Sequence, residues 1–232
     1  HQLLLVRLQD FDIHPCKGCY SCLFGQKRCV QNDDLELVVN AIAEADALIV
    51  AAPTYFLGPN ASLKRLLDRG LAIYTRIEKL WRKPAIGIAL AGIKNKEGYA
   101  LLGIESFLKL ILADVKASCV LYGALPGEVL LNENNLKKVS ELAAALLGPH
   151  LLPKPGPRCP LCGGDTFRFL DDKTVRCMLC GNTGRFTAEG KKPAFFIEES
   201  EHDFFFSKEK AFAHLDWLIG MKQRFLQNKK RL

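Results

Sequence analysis

The stretch Asp46-Ala47-Leu48-Ile49-Val50-Ala51-Ala52-Pro53-Thr54-Tyr55-Phe56 decides the fold. Ala47 to Ala52 is an apolar run without alternation, the pattern of a strand buried on both faces. Upstream, Asn32-Asp33-Asp34 opens Leu35, Val38, Val39 and Ile42, which predicts a helix from Asp33 to Ala45. Downstream, Asn60 is the expected cap of a helix reaching about Tyr74. The alternation continues with a strand Pro84 to Ala91, a helix Glu97 to Ala113, a strand Ala117 to Leu125 and a helix Asn132 to Leu147. Leu3 to Arg7 reads as an earlier strand. Apolar strands separated by amphipathic helices imply an α/β fold, a doubly wound parallel sheet covered on both faces.

Two cysteine quartets add chemistry. Cys16, Cys19, Cys22 and Cys29 sit on the loop between the first predicted strand and helix. Three cysteines at every third position let one loop wrap three thiolates around a single inorganic centre, and the fourth closes the cage. A 4Fe-4S cluster suits this spacing; a structural zinc site or free thiols are the alternatives. The second quartet is two knuckles, Cys159-Pro-Leu-Cys162-Gly-Gly and Cys177-Met-Leu-Cys180-Gly. Strands at Thr166 to Phe169 and Thr174 to Arg176, around the turn Asp171-Asp172-Lys173, complete the layout of a zinc ribbon. A single rubredoxin-type iron is the rival occupant.

At 232 residues and 49% hydrophobic content, the chain is long enough for one full core and a small module. Residues 1–148 form the expected α/β domain, 149–157 a proline-rich linker, 158–187 the ribbon, and 188–232 an irregular segment with a final amphipathic helix capped by Ser207. Eight of nine cysteines have metal-type spacing, with Cys119 left for the core, which indicates a reducing, cytoplasmic setting. The formal charge of +7 falls to about +3 once two thiolate-bound centres carry about −2 each. Lys191-Lys192 and Lys229-Lys230-Arg231 read as solvated ends. No run is long and apolar enough to predict a membrane span.

Asp12-x-x-Pro15-Cys16-x-x-Cys19-x-x-Cys22, the stretch from Asp46 to Phe56, and Ser62-Leu63-Lys64-x-x-Leu67-Asp68-Arg69 together resemble the iron-sulfur flavoprotein branch of the NADPH-dependent FMN reductase family over about residues 1–147. The resemblance implies a flavodoxin-like fold, FMN at the carboxyl ends of the strands and a 4Fe-4S cluster near it. The ribbon lies outside the family pattern. Loops at such strand ends are where ligands bind in doubly wound sheets. The candidate flavin contacts are therefore Pro53, Thr54, Tyr55, Phe56, Leu57, Gly58 and Asn60 on one loop, and Ala91, Gly92 and Lys94 on the next. Asp68-Arg69 reads as an ion pair or helix-end contact, and His14 as structural.

Family members begin with a strand and a phosphate-holding loop, whereas His1 falls in what resembles the second strand. The expectation is about 30 further amino-terminal residues, enough for a strand, loop and helix. The function expected is electron transfer between the cluster and FMN, with NAD(P)H or ferredoxin as redox partner and a homodimer or homotetramer as the assembly. The competing reading is a redox-silent scaffold whose ribbon binds nucleic acid or a protein through Arg158, Arg168, Lys173, Arg176 and Arg185, with Phe167, Phe169 and Phe186 interleaved; Asp165, Asp171 and Asp172 dilute that basic face.

Overall fold

A computed structural model describes residues 2–24, 28–148, 156–187, 193–201, 203 and 206–229. The chain divides into two compact units, one of residues 1–151 and 215–232, the other of residues 152–214. Most of the expected linker and the Phe204-Phe205 pair lie outside the described residues.

The first unit is built on β1 (Leu48–Tyr55), β2 (Gly58–Pro59), β3 (Pro84–Ala91) and β4 (Asp114–Tyr122), in the order β2-β1-β3-β4. β1 pairs in parallel with β3, and β3 with β4, while β2 is a two-residue antiparallel return on the far edge of β1. α1 (Leu35–Glu44) precedes the strands, α2 (Ala61–Asp68), α3 (Gly70–Tyr74), α4 (Ile77–Leu80) and α5 (Ala100–Leu110) run between them, and α6 (Glu133–Leu147) follows them. Parallel strands need crossovers, and α5 supplies the one between β3 and β4. It packs across β1, β3 and β4, with Ile104 and Leu108 fully buried in one cluster with Ala85 and Ala89. Small residues on β3 let α5 approach: a methyl group on Gly87 would meet Ile104 at 3.0 Å. Ile86 and its register partner Ala117 are buried outside that cluster, and α6 packs on β3 and β4. This is the flavodoxin-like, doubly wound arrangement.

Several boundaries differ from the sequence-based expectations. Leu3 to Arg7 forms no strand, because no described strand lies beside it to complete a ladder. Leu3, Leu4 and Leu5 are 81%, 71% and 76% exposed. β1 continues through Pro53 to Tyr55, and its outer edge is paired only where β2 reaches Thr54 and Tyr55. The helix expected from Asn60 to Tyr74 breaks at Arg69 into α2 and α3, and the Asn60 side chain makes no capping bond. β4 begins three residues earlier than expected, at Asp114. Asn132 does cap α6, its side chain accepting from the Asn134 and Asn135 amides.

The second unit is an antiparallel meander of β5 (Phe167–Phe169), β6 (Thr174–Cys177), β7 (Thr183–Thr187) and β8 (Ala194–Ile197). The sheet therefore runs past residue 187, where the ribbon was expected to end, because Phe195 stacks on Phe167 with ring centroids 3.7 Å apart. Phe186 joins them, with its ring 5.3 Å from that of Phe195. The last helix, α7 (Lys208–Asn228), starts in this unit and ends in the first. Ser207 caps it, its hydroxyl accepting from the Lys210 amide. Among the described residues, no helix is long and apolar enough to cross a membrane.

Leu108 is fully buried where α5 meets the sheet, so Leu108→Ala removes transfer energy and leaves a cavity. The expected loss is about 2–5 kcal/mol, read as a lower urea midpoint; an unchanged midpoint would contradict this packing.

Candidate functional site

Two loops meet at the carboxyl ends of β1 and β3. Phe56 and Leu57 form the two-residue connection between β1 and β2, both with positive φ, 45° and 67°. That geometry is the hairpin turn matching strand twist, and non-glycine residues adopt it only when the surroundings hold them there. The hold comes from the neighbouring loop: the Tyr99 amide donates to the Leu57 carbonyl at 2.6 Å. Gly98, with φ of +56°, lies against the same carbonyl, and a methyl group there would sit 2.3 Å from the oxygen. Clamped in this way, the turn holds Tyr55 68% and Phe56 96% exposed. A large apolar side chain so displayed on a rigid turn is a surface for a flat partner. The Thr54 hydroxyl below them is buried with no hydrogen-bond partner, a cost a bound ligand's polar edge would relieve.

The second loop carries Gly92, Ile93, Lys94 and Asn95, all exposed. Its base is tied to β4: Tyr122 donates its hydroxyl to Glu97 at 3.0 Å and accepts from the Asn95 amide at 3.4 Å. Burial raises the Tyr122 pKa and Glu97 reinforces this, so the phenol stays protonated. Of the expected flavin contacts, Pro53 to Asn60 thus lie on one hairpin and Gly92 and Lys94 on the adjoining loop, while Ala91 is buried at the end of β3.

The first cysteine quartet occupies the loop before α1. Gly18 and Tyr20 take positive φ, 62° and 61°, so the chain turns sharply between the first cysteines. The Gly18 amide points at Cys16 Sγ, 3.4 Å away. A hydrogen bond with Ser21 lowers the Cys19 pKa, whereas burial, helped by Cys29, pushes Cys22 up to about 11. Cys19 and Cys29 line a cavity of about 780 Å³ with Phe24, Arg28, Lys222 and Leu226. The end of α7 lines the same cavity, with Lys222 Nζ 5.8 Å from the centre of the Tyr20 ring.

The residue that sequence reasoning set aside lies beneath this loop. Arg69, at the break between α2 and α3, has a side chain only 1% exposed and forms a two-pronged pair with Asp33, equally buried, at 2.6 and 3.2 Å. Its remaining terminal N–H groups donate to the His14 carbonyl at 2.6 Å and to Cys29 Sγ at 3.0 Å. Burial opposes the Asp33 charge, but Arg69 and the His14 and Leu35 amides outweigh it and hold the carboxyl below its usual pKa. The ion pairing and helix-end place expected of Asp68-Arg69 are both present, but with other partners: Asp68 pairs with Lys64 one turn earlier and Arg69, at the end of α2, with Asp33. His14 does bridge backbone and carboxylates, its Nε2 lying 2.9 Å from Asp12.

In the second unit, Cys159, Cys162, Cys177 and Cys180 bring four sulfurs within 4.8 Å of one another. The two knuckles are near copies. The Gly163 amide donates to the Cys159 carbonyl and the Gly181 amide to that of Cys177, each at 2.9 Å. Both glycines have φ near +75°, the conformation the second cysteine's turn demands. Sulfur separations are 3.8 Å for Cys159 and Cys180 and 3.5 Å for Cys162 and Cys177. A tetrahedral zinc with bonds of about 2.3 Å sets its thiolates ~3.8 Å apart, so the cage fits a single ion. The hydrogen bond between Cys162 and Cys177 pulls the Cys177 thiol down and pushes the Cys162 thiol up. Among the described residues no other three such ligands converge so closely. The thiols of the first quartet do not converge in this way.

The ribbon's arginines and aromatic residues separate by strand alternation. Arg168 faces Arg176 across β5 and β6, and Arg185 faces Phe196, whereas Phe167, Phe169 and Phe186 belong to the opposite side of the sheet. The basic and aromatic residues singled out from the sequence therefore do not make one surface.

Residues 1–109 match the family model described as NADPH-dependent FMN reductase. The chain is 33% identical over 95 residues to an iron-sulfur flavoprotein of Archaeoglobus fulgidus, covering 41% of this chain and 46% of that one. A second protein of that name from the same organism is 30% identical over 141 residues, covering 61% and 62%, and one from Methanosarcina thermophila is 32% identical over 90 residues, covering 39% and 47%. The chain thus spans roughly half the length of these relatives. A solved structure titled flavone reductase matches 96% of this chain and 80% of its own with a TM-score of 0.69 and 17% identity, which shows a shared fold.

Gly98→Ala forces a methyl group into the Leu57 carbonyl and a side chain onto positive φ. The expected cost is about 1–3 kcal/mol, with faster proteolysis between residues 53 and 60; wild-type stability and resistance would show that the two loops are not clamped together.

Proposed function

Because residues 1–109 match the family model described as NADPH-dependent FMN reductase, we propose that the chain is a flavin-dependent oxidoreductase in which a 4Fe-4S cluster on Cys16, Cys19, Cys22 and Cys29 exchanges electrons with FMN. The observation that carries the reading is the clamped aromatic turn with its orphaned Thr54 hydroxyl, at the carboxyl ends of β1 and β3 in the same α/β unit as the four-cysteine loop. Both sets of residues fit their groups: the hairpin offers flat apolar surface and an unpaired hydroxyl, and the loop offers four thiols, two of which, Cys19 and Cys29, line a cavity. A flavin supplies hydride and single-electron chemistry and a cluster supplies single electrons, so neither centre asks the protein for a catalytic acid or base.

What the chain contributes is position. Tyr55 and Phe56 supply the stacking surface, Thr54 a hydrogen bond, Lys94 a positive charge beside a ring that becomes anionic on reduction, and the backbone around Gly92 a close approach. NAD(P)H or a ferredoxin is the partner class consistent with this chemistry. The ribbon quartet holds zinc, whose separation of sulfurs it matches, as a structural ion that does not change oxidation state.

Protein purified without oxygen should show flavin bands, a broad iron-sulfur shoulder, and iron and zinc together. Cys19→Ser should abolish the shoulder and leave zinc in place, while Cys177→Ser should lose zinc and sensitise residues 156–201 to protease with the shoulder intact. A colourless protein, or loss of both metals from either substitution, would overturn the assignment. Thr54→Val should weaken FMN binding by about 5- to 20-fold, the loss of one hydrogen bond to an otherwise unpaired group; equal affinity would remove Thr54 from the site.

A further inference from the structure

We propose that Arg69 is a positioning residue for the metal centre: its guanidinium fixes the closing ligand Cys29 and sets the reduction potential of the cluster through the hydrogen bond to Cys29 Sγ. The inference rests on the cluster reading above and deepens it.

The argument is one of donor geometry. Each terminal nitrogen of a guanidinium carries two N–H groups in a fixed plane. On one nitrogen they go to Asp33 Oδ2 and the His14 carbonyl; on the other they go to Asp33 Oδ1 and Cys29 Sγ. Once Asp33 takes the fork, the direction of the last N–H is no longer free, and it lands on sulfur at 3.0 Å. Burial of the pair, 1% exposed on each side, removes the water that would compete for that contact. An ion pair serving structure alone would be satisfied by Asp33 and a carbonyl; a sulfur acceptor makes poor use of a buried charged donor unless it is ionised, as a metal-bound thiolate is.

Cys29 differs from its companions in how it is held. Cys16, Cys19 and Cys22 follow one another at intervals of three along one coil, whereas Cys29 lies beyond residues 25–27 and four positions before Asp33. Its sulfur is tied through Arg69 to Asp33, which accepts the Leu35 amide at the start of α1 and the His14 amide just before the other three ligands. One guanidinium thus anchors both ends of the ligand loop to the junction of α2 and α3. A cluster gains one negative charge on one-electron reduction, so a positive donor on a ligand sulfur favours the reduced form and raises the potential.

The test begins with the unsubstituted protein, whose iron-sulfur absorbance and iron content establish that a cluster is present; their absence would defeat the cluster reading itself. In cluster-loaded Arg69→Gln, the midpoint potential should move to more negative values and iron should escape to a ferrous chelator about 10- to 100-fold faster. Arg69→Lys keeps the charge but not the fork, and should shift the potential less while still releasing iron faster. Zinc content and far-ultraviolet circular dichroism monitor the fold. Folded variants with wild-type potential and iron retention overturn the inference. Should neither variant fold, pulsed electron paramagnetic resonance on the reduced, unsubstituted protein labelled with ¹⁵N-arginine decides: a guanidinium nitrogen coupled to the cluster supports the contact, and no coupling overturns it.

Discussion

A buried guanidinium survives only where its hydrogen bonds are answered, and the pair of Arg69 with Asp33 meets that condition by drawing distant segments together. Asp33 lies before α1, Arg69 between α2 and α3, His14 before the cysteine loop and Cys29 at its end. Removing either partner alone would strand a charge in the interior, a penalty of about 3–5 kcal/mol. The cysteine loop, which has little regular structure of its own, is held in place by this requirement.

The parallel sheet supplies the complementary constraint. β1, β3 and β4 run in one direction, so the loops that follow them emerge at one end. The hairpin at Phe56 and Leu57 is strained on its own terms and stable because the next loop donates to it. Strain held by neighbours keeps aromatic side chains exposed instead of letting them collapse onto the core. The ribbon solves a different problem: its apolar cluster is small, centred on Val175, Ile197 and buried cysteines, so four converging thiolates offer the cross-link that packing lacks.

Much of this was legible in the sequence because the signals were local. Continuous apolar runs marked β1, β3 and β4, and both cysteine quartets announced themselves by spacing, since ligand geometry dictates it. Leu3 to Arg7 carried a strand pattern without a strand, because a ladder depends on a neighbour that no local pattern specifies. β7 and β8 went unseen: Thr183-Gly184-Arg185 has little apolar character, and Phe195 finds its stacking partner 28 positions away at Phe167. The turn at Phe56 and Leu57 lacks the Asn-Gly that usually signals such geometry. Arg69 does take the ion pair and helix-end place read for Asp68-Arg69, but its partners were not legible for the same reason of distance, with Asp33 and Cys29 lying 36 and 40 residues away. Asp68 pairs with Lys64.

The central claim is that the α/β unit carries a redox pair. Electron paramagnetic resonance of anaerobically prepared protein tests it most directly, recorded before and after stoichiometric reduction while the flavin absorbance is followed in the same sample. The account predicts a low-temperature cluster signal that appears on reduction, integrates in proportion to the chain and accompanies bleaching of the flavin bands. A sample that bleaches without any cluster signal, or that contains neither centre, would contradict it.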